Sequence, residues 1–268
     1  MDLTVDRLKI GAKLVLGKYG VHNDSPHPIV WLKASPNCDF ISESVLDYIC
    51  FDARERASNV RNIQYYGNPC LPLSNIHSFL NSDADVWFNP THEADVPPSA
   101  RNVDTRGTEY ESHFGFLYHF DEYEIDSLKY SVVEANGERL SSLIRLPMQN
   151  EILGADRFKL FLRKGVRPNG TEDMVSSRYA CGFDYTSYID FWTGDRYDDT
   201  YVRTVSRSGN ADRRTPKELC GLRPVCSIKP ETVVVSGSND TFYIKEYVVS
   251  HNICTDEELL NFLGLARP

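Results

Sequence analysis

The chain has 268 residues, a formal net charge of -9 and a pI of about 5.3. That acidic balance excludes a broad electrostatic footprint for nucleic acid, and no apolar run approaches the ~18 residues needed to span a bilayer. Hydrophobic residues at 41% supply the core of one large mixed domain, or of one domain with a small appendage, and aromatics at 12% lean toward β structure.

The stretch from Met1 to Gly20 alternates apolar and polar residues and carries Asp2 and Asp6, so it does not read as an export leader. Leu8, Ile10, Leu14 and Leu16 predict a first strand or pair of strands, with a bulge at Gly11. Pro28 to Leu32 predicts a second strand and Phe40 to Ser42 a short third. Val45, Leu46 and Ile49 follow at helical spacing. Asp52 to Arg61 is charged and is expected to be exposed.

Ser74 is a good N-cap for a short helix through Leu80. Asn89 to Glu109 contains Pro90, Pro97 and Pro98 and reads as a long irregular loop, functional or mobile. Asp121-Glu-Tyr-Glu124 is a capping-box variant that opens a helix burying Ile125 and Leu128. Asn136-Gly137 predicts a two-residue hairpin turn, and Pro147 to Leu153 a helical turn ended by Gly154. Arg157 to Val166 is apolar on either period and fits a helix or a strand.

The stretch from Phe183 to Ile228 organises the chain. Tyr188 to Trp192 predicts an aromatic strand, Thr193 to Asp199 a polar aromatic loop, and Tyr201 to Ser206 a second strand by strict alternation. Arg207 to Lys217 reads as a basic turn, and Gly221-Leu-Arg-Pro224 leads into an apolar run. Thr232 to Val235 and Thr241 to Val249 flank a further hairpin turn at 237–240. Thr255-Asp-Glu-Glu258 is a capping box before the amphipathic Leu259, Leu260, Phe262 and Leu263. The expected division is a domain over 1–235 and an appendage over 236–268, which either docks elsewhere or packs on its own domain.

Seven cysteines (Cys38, Cys50, Cys70, Cys181, Cys220, Cys226, Cys254) are an odd number, scattered and without a Cys-x-x-Cys spacing. A reducing compartment is expected rather than a disulfide scaffold. The triplets Asn169 to Thr171 and Asn239 to Thr241 read as chance glycosylation patterns. The seven histidines form no metal-binding spacing, and no nucleophile elbow, P-loop or dinucleotide fingerprint occurs.

Short motifs recur in a fixed order: Gly17-Lys-Tyr19, Ile29-Val-Trp31, Phe79-Leu-Asn81, Phe120-Asp-Glu-Tyr-Glu124, Leu146-Pro-Met-Gln-Asn-Glu151, Phe191-Trp192 and Gly221-Leu-Arg-Pro224. The series, over roughly residues 8 to 235, resembles an uncharacterised domain family of gut bacteria and their phages. That family looks like a divergent C-type lectin-like fold, shared with formylglycine-generating enzymes and with variable receptor-binding proteins of phages. The family continues its Trp strand with Arg-Ser-Pro, where Thr193-Gly-Asp-Arg196 stands here. The resemblance implies an α+β, C-type lectin-like fold of mostly antiparallel strands, two or three short helices and long loops. Function does not follow from fold.

Three site chemistries follow. Formylglycine-generating enzymes hold copper through two nearby cysteines, and Cys220 and Cys226 are close in sequence. The extended strand between them would cover about 20 Å, so they read as structural thiols unless the chain bends near Pro224. Lectins of this fold hold calcium with Glu-Pro-Asn or Gln-Pro-Asp and Trp-Asn-Asp triplets, which are absent. Asp195, Asp198 and Asp199 offer oxygen ligands or form a solvated loop. Aromatic and guanidinium groups suit a glycan- or protein-binding surface, and the candidates are Tyr185, Tyr188, Trp192, Asp195, Arg196, Tyr197, Tyr201 and Arg213. The competing reading puts Trp192 in the core and Arg223 as a buried anchor.

The expected function is a non-enzymatic phage virion protein, an adhesin, fibre tip or capsid or tail decoration, made in the host cytoplasm and released by lysis. It is expected to need no cofactor and to form a homo-oligomer. Its partners would be other virion proteins and a host-surface glycan or protein, with no nucleic acid and no membrane insertion. The alternatives are a metal-dependent oxidase related to formylglycine-generating enzymes and a bacterial cytosolic module for a glycan or peptide.

Overall fold

Residues 13–19 and 27–33 carry apolar runs (Leu14 to Leu16, Ile29 to Leu32) and pair antiparallel as the strands Lys13–Tyr19 and His27–Lys33, with most of their side chains buried. The computed structural model describes residues 2–20, 25–104, 109–135, 137–154, 157–166, 172–176, 182–183, 188–237 and 239–250. The architecture is α+β, with short helices set on two main sheets. The larger sheet runs Leu3–Thr4, Val233–Ser236, Thr241–Ile244, Lys13–Tyr19, His27–Lys33, Asp39–Ser42, Val225–Ile228 and Leu128–Lys129, with Ile144–Arg145 also pairing Val225–Ile228. The second runs Ala211–Arg214, Val202–Val205, Phe191–Arg196, Cys220–Leu222 and Asp47–Ile49.

The chain changes sheets at two adjoining corners. One lies between Ser42 and Asp47, the other at Arg223-Pro224. Ser42 N–H donates to Pro224 O at 3.0 Å and Leu46 N–H to Leu222 O at 2.9 Å, which stitches the corners together. Arg223 is buried there, its Nε donating to Ser42 O at 3.2 Å and its guanidinium 5.3 Å from the Phe191 ring centre. It is the anchor expected of it.

The motif residues hold these layers. Gly17 has φ +67 at a bulge, and its N–H donates to the buried Glu124 carboxylate at 2.8 Å. Trp31 Nε1 donates to Leu16 O at 2.9 Å, and Asn81 binds the backbone of Leu143 and Ile144. Glu151 accepts both arms of the buried Arg145 at 2.7 Å each. Trp192 is fully buried and donates to Ile49 O at 2.8 Å.

Several elements match expectation: the helices Asn75–Leu80, Glu122–Ser127 and Gln149–Leu153, and the Ser131–Ala135/Glu138–Ser142 hairpin. Others differ. Leu8 and Ile10 lie in a turn after the 3-10 helix Val5–Arg7, not in a strand. Residues 45–49 form no helix, because Asp47–Ile49 is drawn into the edge of the second sheet. Asp52 and Glu55 are each 1% exposed, not solvated. Asp52 accepts backbone N–H bonds from Asn68 and Asn75, and Glu55 Oε2 lies 2.9 Å from His92 Nε2. Burial raises both carboxyls above the usual carboxylate range. These groups also pin the long proline-containing loop. Asn75 Nδ2 donates to Asp95 and to Val96 O, and Arg54 to Asn102 O and Val103 O.

Residues 159–166 divide between a 3-10 turn, Lys159–Phe161, and a strand, Leu162–Val166. The basic turn contains the strand Ala211–Arg214, and the strand of Trp192 continues to Arg196. At the other end the strand Thr241–Ile244 stops early and passes into the helix Lys245–Ser250. Because Thr241–Ile244 lies between Val233–Ser236 and Lys13–Tyr19, the expected boundary at 235 falls inside a hairpin of the larger sheet. The helix expected at 255–263 lies outside the described residues.

Candidate functional site

Phe191–Arg196, Val202–Val205 and Ala211–Arg214 form a three-stranded antiparallel ribbon at the free edge of the second sheet. Both faces of its two inner strands are covered: Trp192 and Val202 point into the main core, and Phe191 and Val205 into a second cluster with Phe161 and Val225. The turn 197–199 and most of the edge strand Ala211–Arg214 are exposed to solvent.

There the register sets Arg203 directly opposite Arg213. The Arg213 guanidinium lies 4.4 Å from the Tyr197 ring centre and 5.0 Å from that of Tyr201, and Arg203 lies 5.0 Å from Tyr197. Arg203 Nη1 also donates to Gln149 Oε1 at 3.1 Å. Among the described residues neither arginine forms an ion pair with a carboxylate. Cation–π stacking spreads the guanidinium charge over an aromatic face without neutralising it, so the surface offers planar N–H donors and half-exposed rings. That combination suits a carboxylate or other anionic group on a glycan or protein, which a guanidinium binds through two parallel N–H bonds.

The neighbouring acids are already engaged. Asp195 accepts from Gln149 N–H, Asp198 Oδ1 accepts from the N–H groups of Thr200 and Tyr201, and Asp199 pairs with Arg196. These bonds order the turn 197–201. Among the described residues no group of three or more His, Cys, Asp or Glu is placed to hold a metal ion. Cys220 and Cys226 lie on strands of different sheets on either side of the Arg223-Pro224 corner, and burial pushes both thiols up, against the thiolate that copper ligation requires.

The structure thus gathers part of the expected set. Tyr197, Arg213 and Arg196 lie together on the exposed end of the ribbon, with Asp195 beneath them as a fixed support. Trp192 is corrected to a core residue, since its indole is fully buried and its N–H is taken by the backbone. Tyr188 is 50% exposed on the short strand Tyr188–Ile189, away from the stack. Tyr185 lies outside the described residues. Arg203 was missed as a site residue. Its signal was the alternation of Tyr201, Arg203 and Val205, which acquires meaning only once residues 211–214 are paired alongside.

Comparison with family models, with curated proteins and with solved structures finds no match to this chain.

Proposed function

We propose that this chain is a non-enzymatic binding module with a C-type lectin-like fold, carried on a phage particle as an adhesin, fibre tip or decoration. Its ligand surface is the end of the ribbon bearing Tyr197, Tyr201, Arg203 and Arg213. The observation that carries this reading is the Arg203–Arg213 pair: like charges directly opposite on neighbouring strands cost stability, and among the described residues neither forms an ion pair with a carboxylate. An anionic group from a host-surface glycan or protein would supply the missing charge. The aromatic rings would add stacking area at low entropic cost.

The test is binding of purified protein to intact bacterial cells and isolated wall polysaccharides, beside a Tyr197→Ala/Arg213→Ala variant. Saturable binding by the native protein, lost in a variant of unchanged fold, is the expected result. No binding by folded native protein would remove the adhesin role. Absence of the protein from purified particles would remove the virion role as a whole.

A further inference from the structure

A second concave surface lies where the N-terminal turn meets Lys159 and Leu160 and the start of the strand Thr241–Ile244. It encloses about 560 Å³, within the range of small-ligand sites. Leu8, Ile10, Leu160 and Phe242 line it with apolar surface. Arg7, Lys9 and Lys159 stand around it against a single carboxylate, Asp240. All three cations are exposed, and none forms an ion pair among the described residues. In a chain of net charge -9, this is a local excess of positive charge beside an apolar floor.

The walls are built rather than incidental. Lys33 is 1% exposed, and its ammonium donates to Val5 O at 2.8 Å and Asp6 O at 2.9 Å, which fixes the 3-10 turn carrying Arg7. Gly11 N–H donates to Lys33 O and Ala12 N–H to Lys9 O, which closes the turn carrying Lys9 and Ile10. Gly11 sits at φ +86, a conformation open to glycine at no steric cost. Leu160 N–H is held by Ala34 O on the facing wall. A buried lysine spent on the backbone of a surface turn fixes the main chain that carries Arg7 before any ligand arrives, and a pre-formed backbone lowers the ordering cost of binding.

We infer that this cavity binds an amphiphile with an apolar body and one anionic end. The body rests on Leu8, Leu160 and Phe242, and the anion meets Lys9 and Lys159. The shared chemistry is an alkyl chain ending in a carboxylate or a phosphate. The site is separate from the arginine ribbon and stands or falls without it.

The experiment is titration of the full chain with dodecanoate, dodecyl phosphate and the uncharged dodecanol, below the concentrations at which they form micelles. It is repeated with a Lys9→Glu/Lys159→Glu variant, whose changes lie on exposed side chains, and with Arg61→Glu, an exposed residue of neither surface, as the charge-reversal control. The expected result is saturable binding of at least one anion, at least tenfold weaker binding of dodecanol, and at least tenfold loss in the double variant with none in the control. A preference between the two anions identifies the head group. Equal binding of dodecanol, equal binding by a folded double variant, or no saturable binding of either anion overturns the assignment.

Discussion

Arg203 and Arg213 face each other across two antiparallel strands, and both guanidinium groups lie within 5.0 Å of the Tyr197 ring centre. A directly opposed pair of like charges is unfavourable by a few tenths of a kcal/mol to about 1 kcal/mol. Arg213→Glu would convert the repulsion into attraction. The gain is offset by loss of the guanidinium's stacking on Tyr197 and Tyr201, so stability is expected to change by less than about 1 kcal/mol while binding of an anionic ligand is abolished. Denaturant midpoints and a binding titration on the same preparations measure both. A variant that binds as well as the native protein would show that the ribbon end is ordinary surface.

Gly17 is expected to resist substitution. Its φ is +67, and a Cβ built there would overlap the Phe120 ring. Gly17→Ala therefore combines a disfavoured backbone with a steric clash in the core, at a cost of about 3 kcal/mol or more. Equilibrium unfolding in urea would register the loss. Gly137, also at positive φ but with open space around it, gives the comparison: alanine there carries only the backbone penalty.

Arg145 and Glu151 form a two-armed ion pair with Arg145 3% exposed, and Glu151 also accepts from Met148 N–H at 2.8 Å. Removing one member strands a buried charge. Glu151→Ala is expected to cost about 3–5 kcal/mol. Glu151→Gln should cost less, because its amide oxygen can still accept from Met148. The order of the two unfolding midpoints tests this assignment.

The pH response has two opposed parts. Burial raises the Glu55 carboxyl. A raised carboxyl keeps its proton in the fold where the unfolded chain has lost it. Its contribution is complete below the unfolded value of ~4.3 and fades as pH rises through the folded one. Glu55→Gln should therefore lose stability relative to the native protein at low pH and recover relative to it as pH rises. Burial lowers His77 to about 4. The unfolded chain then binds the extra proton between about 6.5 and 4, so His77 costs stability as pH falls through that window. His77→Gln should gain on the native protein over the same interval. Chemical unfolding of each variant at matched pH separates the two, since each difference isolates one group.

How far the fold could be read from the chain depended on the range of the interactions involved. The capping box at Asp121 to Glu124, the hairpin of Ser131–Ala135 with Glu138–Ser142 and the Gly154 stop were legible because they rest on residues within a few positions of one another. The ribbon was harder. Phe191 and Trp192 are adjacent and both fully buried, because the sheet there lies between two cores. The alternation rule assumes one wet face, so it could not say which aromatic was covered. Ala211-Asp-Arg-Arg214 carries no apolar stripe. An edge strand can be charged along its length, and such a strand looks like a turn until its partner is known.

By itself the sequence determined the α+β character, the hairpins and capped helices, and a central stretch rich in aromatic and basic residues, all consequences of local conformational preference and hydrophobic period. Only the tertiary structure decided that Trp192 belongs to the core, that Asp52 and Glu55 are buried, that Thr241–Ile244 completes the larger sheet beside Lys13–Tyr19, and that Arg203 meets Arg213 over Tyr197. Each of these depends on strand register or on the covering of a second face. Both are set by contacts between residues far apart in the chain, where the free energy of burial outweighs any local preference.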